Sequence, residues 1–143
     1  MDERVLDLTT HPNPFADLIG LRFDSWGDGE SVCSIELEPR LMNPNGVLHG
    51  AVVYALADTG MGGALLSALD DGRICATIEI KTSYFRSVMA GRLTCRSWIV
   101  YQGRRTAFLE STVDDADGPV ARATGTFAIL EPREPRPNRG VIP

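Results

Sequence analysis

The sequence predicts an α+β domain in which a curved antiparallel sheet wraps one long central helix. Three observations carry this reading. The stretch Gly50–Ala68 is apolar almost all round, so it belongs in a core rather than on a surface. Long strand candidates lie on both sides of it, and tight turns between the later ones imply antiparallel neighbours. The chain has 143 residues, enough for one domain with a real core and too few for two comfortable ones. One helix of that character needs cover on several sides, which a sheet curving around it supplies.

The elements follow in order. Asn13-Pro14 before Phe15–Ile19 reads as a cap, a proline in the first turn and a short helix that Gly20 ends. A short strand spans Leu21–Trp26, and Gly27-Asp28-Gly29 forms a hairpin turn. The next strand, Ser31–Glu38, alternates cleanly: Cys33, Ile35 and Leu37 face one way, Ser34, Glu36 and Glu38 the other, until Pro39 stops it. Arg40–Leu48 is a loop marked by Pro44 and Asn45-Gly46. The helix then spans roughly 28 Å at its standard rise, and Asp70-Asp71-Gly72 closes it. Four strands follow, Cys75–Tyr84, Arg92–Gln102, Arg105–Asp114 and Val120–Leu130, read as a meander. Residues 1–131 are read as one domain, and 132–143 as an extended or disordered tail rich in proline and arginine.

Composition excludes several function classes. Apolar residues make up 43% and charged residues 23%, and the net charge of −5 argues against a nucleic-acid binder, which needs clustered basic side chains. Cys33, Cys75 and Cys95 form no paired motif, and with only His11 and His49 no metal-ligand set assembles. Three reduced thiols and an acidic start without a signal-peptide pattern point to a cytoplasmic protein. The helix, interrupted by Asp58 and its glycines, is not expected to cross a membrane.

Function concentrates between Asn43 and Ala64. Asp58 is the only acidic residue between Glu38 and Asp70, and a carboxylate in an apolar helix needs a partner or a task. The run HGAVVYALADTGMGGA resembles the helix signature of hotdog-fold thioesterases, in particular the phenylacetate-pathway (PaaI-like) acyl-CoA thioesterases. The upstream NPNGVLHG loop and the downstream TIEIKTSYFRSVMAG strand agree, and the resemblance covers roughly residues 13 to 130. It implies an acyl-CoA thioesterase that needs no cofactor or metal, pairs sheet edge to sheet edge as a homodimer, and often forms a dimer of dimers. By motif position, Asp58 matches the general base or nucleophile, and Gly50 the glycine whose amide polarises the thioester carbonyl. Asn43 and His49 match polar residues lining the site, and Thr77 a residue that positions water. The family commonly carries a second glycine where this chain has Ala51, which keeps the backbone amide but changes local freedom.

Physical reasoning reaches part of this independently. A helix N-terminus offers unpaired N–H groups and a positive dipole end to an oxyanion, and Gly50 sits there with no side chain to block approach. Asp58 lies nine positions beyond His49, on roughly the opposite helix face and about 13 Å along. If both act in one site, it combines two chains. Burial in such a helix is expected to raise the Asp58 pKa. Gly62 lies on the same face four residues on and leaves space beside the carboxylate. Among the basic residues Lys81, Arg86, Arg92, Arg104 and Arg105, Arg86 is the first candidate for CoA phosphates, and Trp26, Phe15 and Met61 are candidates for an acyl pocket.

Each residue also has a structural reading. Gly50 can ease a turn, Asp58 bond to backbone or Thr59, His49 brace the loop, Asn43 shape the turn before Pro44, and Thr77 simply suit a strand. The competing functions are a non-catalytic acyl-CoA-binding module and a dehydratase or hydratase acting on the acyl chain.

Overall fold

The computed structural model describes residues 8, 10–69 and 71–132. The proposed tail from residue 133 onward lies outside them. Helix α1 (Pro14–Ile19) starts where the Ala16 N–H donates to Asn13 Oδ1 at 3.2 Å and ends at Gly20, whose left-handed φ of 79° suits glycine. Strands β1 (Arg22–Gly27) and β2 (Glu30–Glu36) form the hairpin. Strand β2 stops two residues early because the Leu37 N–H turns to the Gly91 carbonyl at 2.8 Å. A 3-10 turn, Pro39–Leu41, and a loop lead into α2 (Gly50–Ala68). Four strands follow, β3 (Ile74–Tyr84), β4 (Arg92–Gln102), β5 (Thr106–Asp115) and β6 (Gly118–Leu130).

All six strands join one antiparallel sheet in the order β1-β2-β4-β5-β6-β3. This corrects the four-strand meander: β4, β5 and β6 meander, but β4 pairs with β2, and β3 lies at the far edge against β6. The segment 85–91 makes that crossing possible. Its Val88 is buried, and the Val88 carbonyl accepts from the Leu48 N–H at 2.8 Å, fastening the crossover to the loop before α2. Strands β1 and β3 are thus the two edges of the sheet.

The helix sits on the concave face between two buried clusters. Val52, Val53 and Leu56 pack with Cys33, Ile35, Leu93, Cys95 and Val113. Ala57, Met61, Ala64 and Leu65 pack with Leu109, Ala123 and Phe127. Polar contacts pin its depth. Buried Ser31 donates to the Gly60 carbonyl at 2.6 Å, and Ser67 accepts from the Gly29 N–H at 2.8 Å while donating to the Ala64 carbonyl at 2.7 Å. Each such buried bond contributes on the order of 1 kcal/mol. Gly60 is glycine for a close approach: a Cβ there would stand 2.6 Å from Ser97 Oγ, itself bonded to Ser111 Oγ at 2.7 Å.

Two expectations are corrected here. The helix is not covered on every side: Ala51 and Tyr54 are exposed, and Asp58, Thr59, Gly62 and Leu66 are partly open, because the sheet leaves a gap between its edges. By length and apolar composition α2 does meet the requirement for a membrane-crossing helix, contrary to the sequence expectation, but in this fold the sheet wraps it and half of it is buried.

Candidate active site

The open stripe of α2 forms the floor of a cleft of about 260 Å³. Asp58, Thr59, Gly62, Gly63 and Leu66 come from the helix, Cys75 and Thr77 from β3, and Phe23 from β1. The sheet's two edges therefore flank one cleft. Thr77 Oγ1 donates to Asp58 Oδ1 at 2.7 Å. A register shift between Thr77 and Glu79 interrupts the β3–β6 ladder beside this pair. Bulges re-aim side chains, and this one lies where the hydroxyl must meet the helix. With Thr77 on Oδ1, the other carboxylate oxygen has no hydrogen-bond partner among the described residues and is left as an acceptor.

Asp58 is half-buried rather than enclosed, since it lies on the open stripe. The thiol of Cys75 is pushed up to about 11 by burial first and by the Asp58 charge second. A thiol held in that range is protonated at neutral pH and is no nucleophile. Gly62 lines the cleft with the carboxylate, and among the described residues only the Phe127 ring edge, 3.9 Å away, lies near the position of a Cβ.

The helix start is a second assembly. His49 caps α2: its Nδ1 accepts from the Ala51 N–H at 3.0 Å. No described residue accepts from the Gly50 N–H, so that donor is available. Tyr84 Oη donates to the Gly50 carbonyl at 2.7 Å, and its ring lies 3.3 Å from where a Gly50 Cβ would stand. Sequence reasoning missed Tyr84, which read only as a strand end. Asn43 builds the loop, its Oδ1 accepting from the Asn45 N–H at 2.8 Å and the Val47 N–H at 3.5 Å.

The structure thus brings Asp58, Thr77 and Gly62 together and places His49, Gly50 and Asn43 at the other end of the exposed stripe. The Gly50 amide lies about 12 Å up the helix axis from Asp58. Two expected substrate contacts stand elsewhere. Met61 is 0% exposed and packs against Phe127 in the core, because it points away from the stripe. Arg86 is committed to Asp115, with Nη1 at 2.8 Å, and to the Pro119 and Gly118 carbonyls at 3.1 and 3.0 Å. It clamps the β5–β6 turn rather than presenting a free cation. A larger hollow of about 410 Å³ lies beside the β1–β2 hairpin, lined by Trp26, Arg96 and Trp98, and holds neither Asp58 nor Thr77.

Comparison with known proteins agrees with this fold. The thioesterase superfamily profile matches residues 45–121, from the loop before α2 into β6. A solved structure of a conserved protein from Pseudomonas aeruginosa is 34% identical, with 83% of this chain and 95% of that chain covered and a TM-score of 0.80. A thioesterase from the same organism, solved as a mutant, is 26% identical over 90% of this chain and 96% of its own, with a TM-score of 0.80. The 1,4-dihydroxy-2-naphthoyl-CoA hydrolase of Listeria monocytogenes is 25% identical over 82% of this chain and 97% of its own. A helix wrapped by a six-stranded antiparallel sheet, with an acid on its open stripe and a profile match over more than half the length, has one reading: the chain belongs to the thioesterase superfamily, the hotdog-fold thioester hydrolases.

Proposed function

We propose that the protein is a cytoplasmic acyl-CoA thioesterase of the PaaI-like kind, releasing free CoA from aromatic or medium-chain acyl-CoA. The observation that carries this is the Asp58–Thr77 pair, 2.7 Å apart in a cleft with apolar walls. Likeness to a hydrolase of an aromatic acyl-CoA supports the substrate class. Phe23, Leu66 and Phe127 supply a surface for the acyl group beside the carboxylate.

In this reading Asp58 acts through its free oxygen, as general base or as nucleophile. As base it takes a proton from water while the water oxygen bonds the thioester carbon. The carbonyl oxygen becomes an oxyanion, held by the Gly50 amide at the positive end of α2. Collapse of the intermediate breaks the C–S bond, and the thiol leaves with the proton. Thr77 fixes the carboxylate and orients the water.

Asp58 and Gly50 are too far apart on one helix to hold the same carbonyl. The catalytic unit is therefore a homodimer, alone or within a dimer of dimers, in which Asp58 of one protomer faces His49 and Gly50 of the other. The β3 edge supports such pairing: it is eleven residues long, and its Ile78 is 57% exposed. Free-thiol release from a panel of acyl-CoAs tests the function. Release by wild type and loss by at least 100-fold in Asp58→Asn is the expected result. Equal rates in the two proteins would remove Asp58 from the mechanism, and acyl-CoA binding without release would make the chain a binding module.

A further inference from the structure

The family resemblance assigns no role to Tyr84, yet its hydroxyl is bonded to Gly50, on which the proposed reaction depends. We propose that Tyr84 is a positioning residue for the oxyanion end of the site: through the Gly50–Ala51 peptide it holds His49 as the Nε2–H tautomer, so that the imidazole offers a second donor beside the Gly50 amide. This rests on the reading of the site given above.

Two hydrogen bonds and the peptide group between them form a continuous chain. The Tyr84 hydroxyl donates to the Gly50 carbonyl at 2.7 Å. That carbonyl and the Ala51 N–H belong to one peptide group. The Ala51 N–H donates to His49 Nδ1 at 3.0 Å. A nitrogen that accepts carries no proton, so the neutral ring has its proton on Nε2. Donation at one end of a peptide polarises its N–H at the other, so the tyrosine strengthens the bond that fixes the tautomer. The cap thus occupies one ring nitrogen and leaves the other as a donor. The two sequence readings of His49, brace and site residue, are one arrangement.

The same contact explains the glycine. A Cβ at position 50 would meet three Tyr84 ring and hydroxyl atoms at 3.3 Å. A bare Cα lets the ring lie on the helix start with its hydroxyl on the carbonyl, whereas a methyl would push the ring back by a few tenths of an ångström. Position 51 has no such neighbour, since Ala51 is exposed and gives only its N–H. Burial, with Tyr54 beside it, pushes the Tyr84 phenol above its ordinary value, which keeps it a donor.

Tyr84→Phe removes the hydroxyl and keeps the ring. The expected result is a kcat lowered about tenfold with KM within about twofold, the pattern of a group that acts in the transition state. A tyrosine that merely ties β3 to α2 would change the melting temperature and leave that split flat. Imidazole ¹⁵N spectra give an independent readout, and with only His11 and His49 in the chain the assignment needs one His11→Asn control. Wild type should show His49 as Nε2–H, and Tyr84→Phe a mixture of tautomers. Gly50→Ala, which keeps the N–H but sets a methyl against the ring, should reproduce the kcat loss. A wild-type His49 protonated on Nδ1, or an unchanged kcat in Tyr84→Phe, would overturn the inference. Absence of thiol release by wild type would instead strike the hydrolase reading, and the spectra would still decide the tautomer.

Discussion

Alanine at Gly60 and alanine at Gly62 are the same substitution two residues apart in one helix, and the structure gives them opposite signs. Replacing glycine by alanine inside a helix gains about 0.5–1 kcal/mol from backbone entropy when the site has room. Position 62 has room, because the nearest atom to a new Cβ is the Phe127 ring edge at 3.9 Å. Gly62→Ala should therefore be more stable by about 0.5–1 kcal/mol. Position 60 does not, because its Cβ would stand 2.6 Å from Ser97 Oγ and 3.4 Å from Cys95 Sγ, both buried. Relief requires Ser97 to leave Ser111 or the helix to lift off the sheet. Overpacking costs about 1–3 kcal/mol and an orphaned buried hydroxyl about as much again. Set against the entropy gain, Gly60→Ala should lose about 1–5 kcal/mol. Urea unfolding at fixed protomer concentration reads both, and about 1 kcal/mol corresponds to roughly 3–4 °C in a melt of a chain this size. Ser97→Ala in the Gly60→Ala background should recover part of the loss, since it removes the clashing atom. Two alanines that shift stability in the same direction, or a Ser97→Ala that rescues nothing, would refute the packing argument.

The remaining predictions are shorter. Thr77→Val, which keeps the shape and removes the donor to Asp58, should lower kcat by about 10–100-fold in thiol release with little change in KM. Phe23 lies flush on Gly63, 2.5 Å from where a Cβ would stand, and walls the cleft; Phe23→Ala should shift the preferred acyl-CoA toward longer chains in a chain-length series. Arg86 holds the Asp115 carboxyl down to about 2, below its ordinary 3.8. A depressed carboxylate stabilises above its unfolded pKa and loses that effect as pH falls through the folded one. The melting-temperature gap between wild type and Arg86→Gln should therefore be full at pH 5 and close between about pH 4 and 2. Burial pushes both Cys75 and Cys95 up to about 11, so both should react with a disulfide reagent at pH 8 far more slowly than they do once the protein unfolds. Because the Asp58 charge contributes at Cys75, Asp58→Asn should make that thiol more reactive than in wild type.

The helix boundaries were legible because their signals are local. Asn13-Pro14 and Gly20 bracket α1, and Gly50 and Ala68 bound α2 as expected. The strand order was not, because β3 and β4 follow each other in sequence and only long-range pairing decides that β6 and β2 are their neighbours. The open stripe was hidden for a related reason. Apart from Asp58 and Thr59 its residues, Tyr54 and Leu66 among them, read like core residues, so composition alone cannot say where a sheet stops wrapping. Asp58 stood out as the one acid in an apolar helix. Its bond to Thr77, 19 residues away on another element, was not readable: the family resemblance pointed to Thr77 as a residue that positions water, and the expected structural partner was backbone or Thr59. The ion pair of Arg86 was not legible because its partner, Asp115, lies 29 residues downstream at the end of β5. Tyr84 is 34 residues from Gly50 and carries no local signal at all.

The central claim is that one protomer's Asp58 works against the other's helix start, and subunit mixing tests it most directly. Gly50→Pro removes the N–H and also sets its ring against Tyr84, 3.3 Å from the new Cβ; proline suits the first turn of a helix, and His49, at φ −64° and ψ 129°, already has the conformation a following proline requires. Asp58→Asn and Gly50→Pro should each be inactive alone. In a mixed dimer one of the two sites has both residues intact. Unfolding and refolding an equal mixture should then restore thiol release to about a quarter of wild type, since half the dimers are mixed and each has one working site. A mixture as inactive as its parents, with mixed dimers present, would contradict a site shared between protomers.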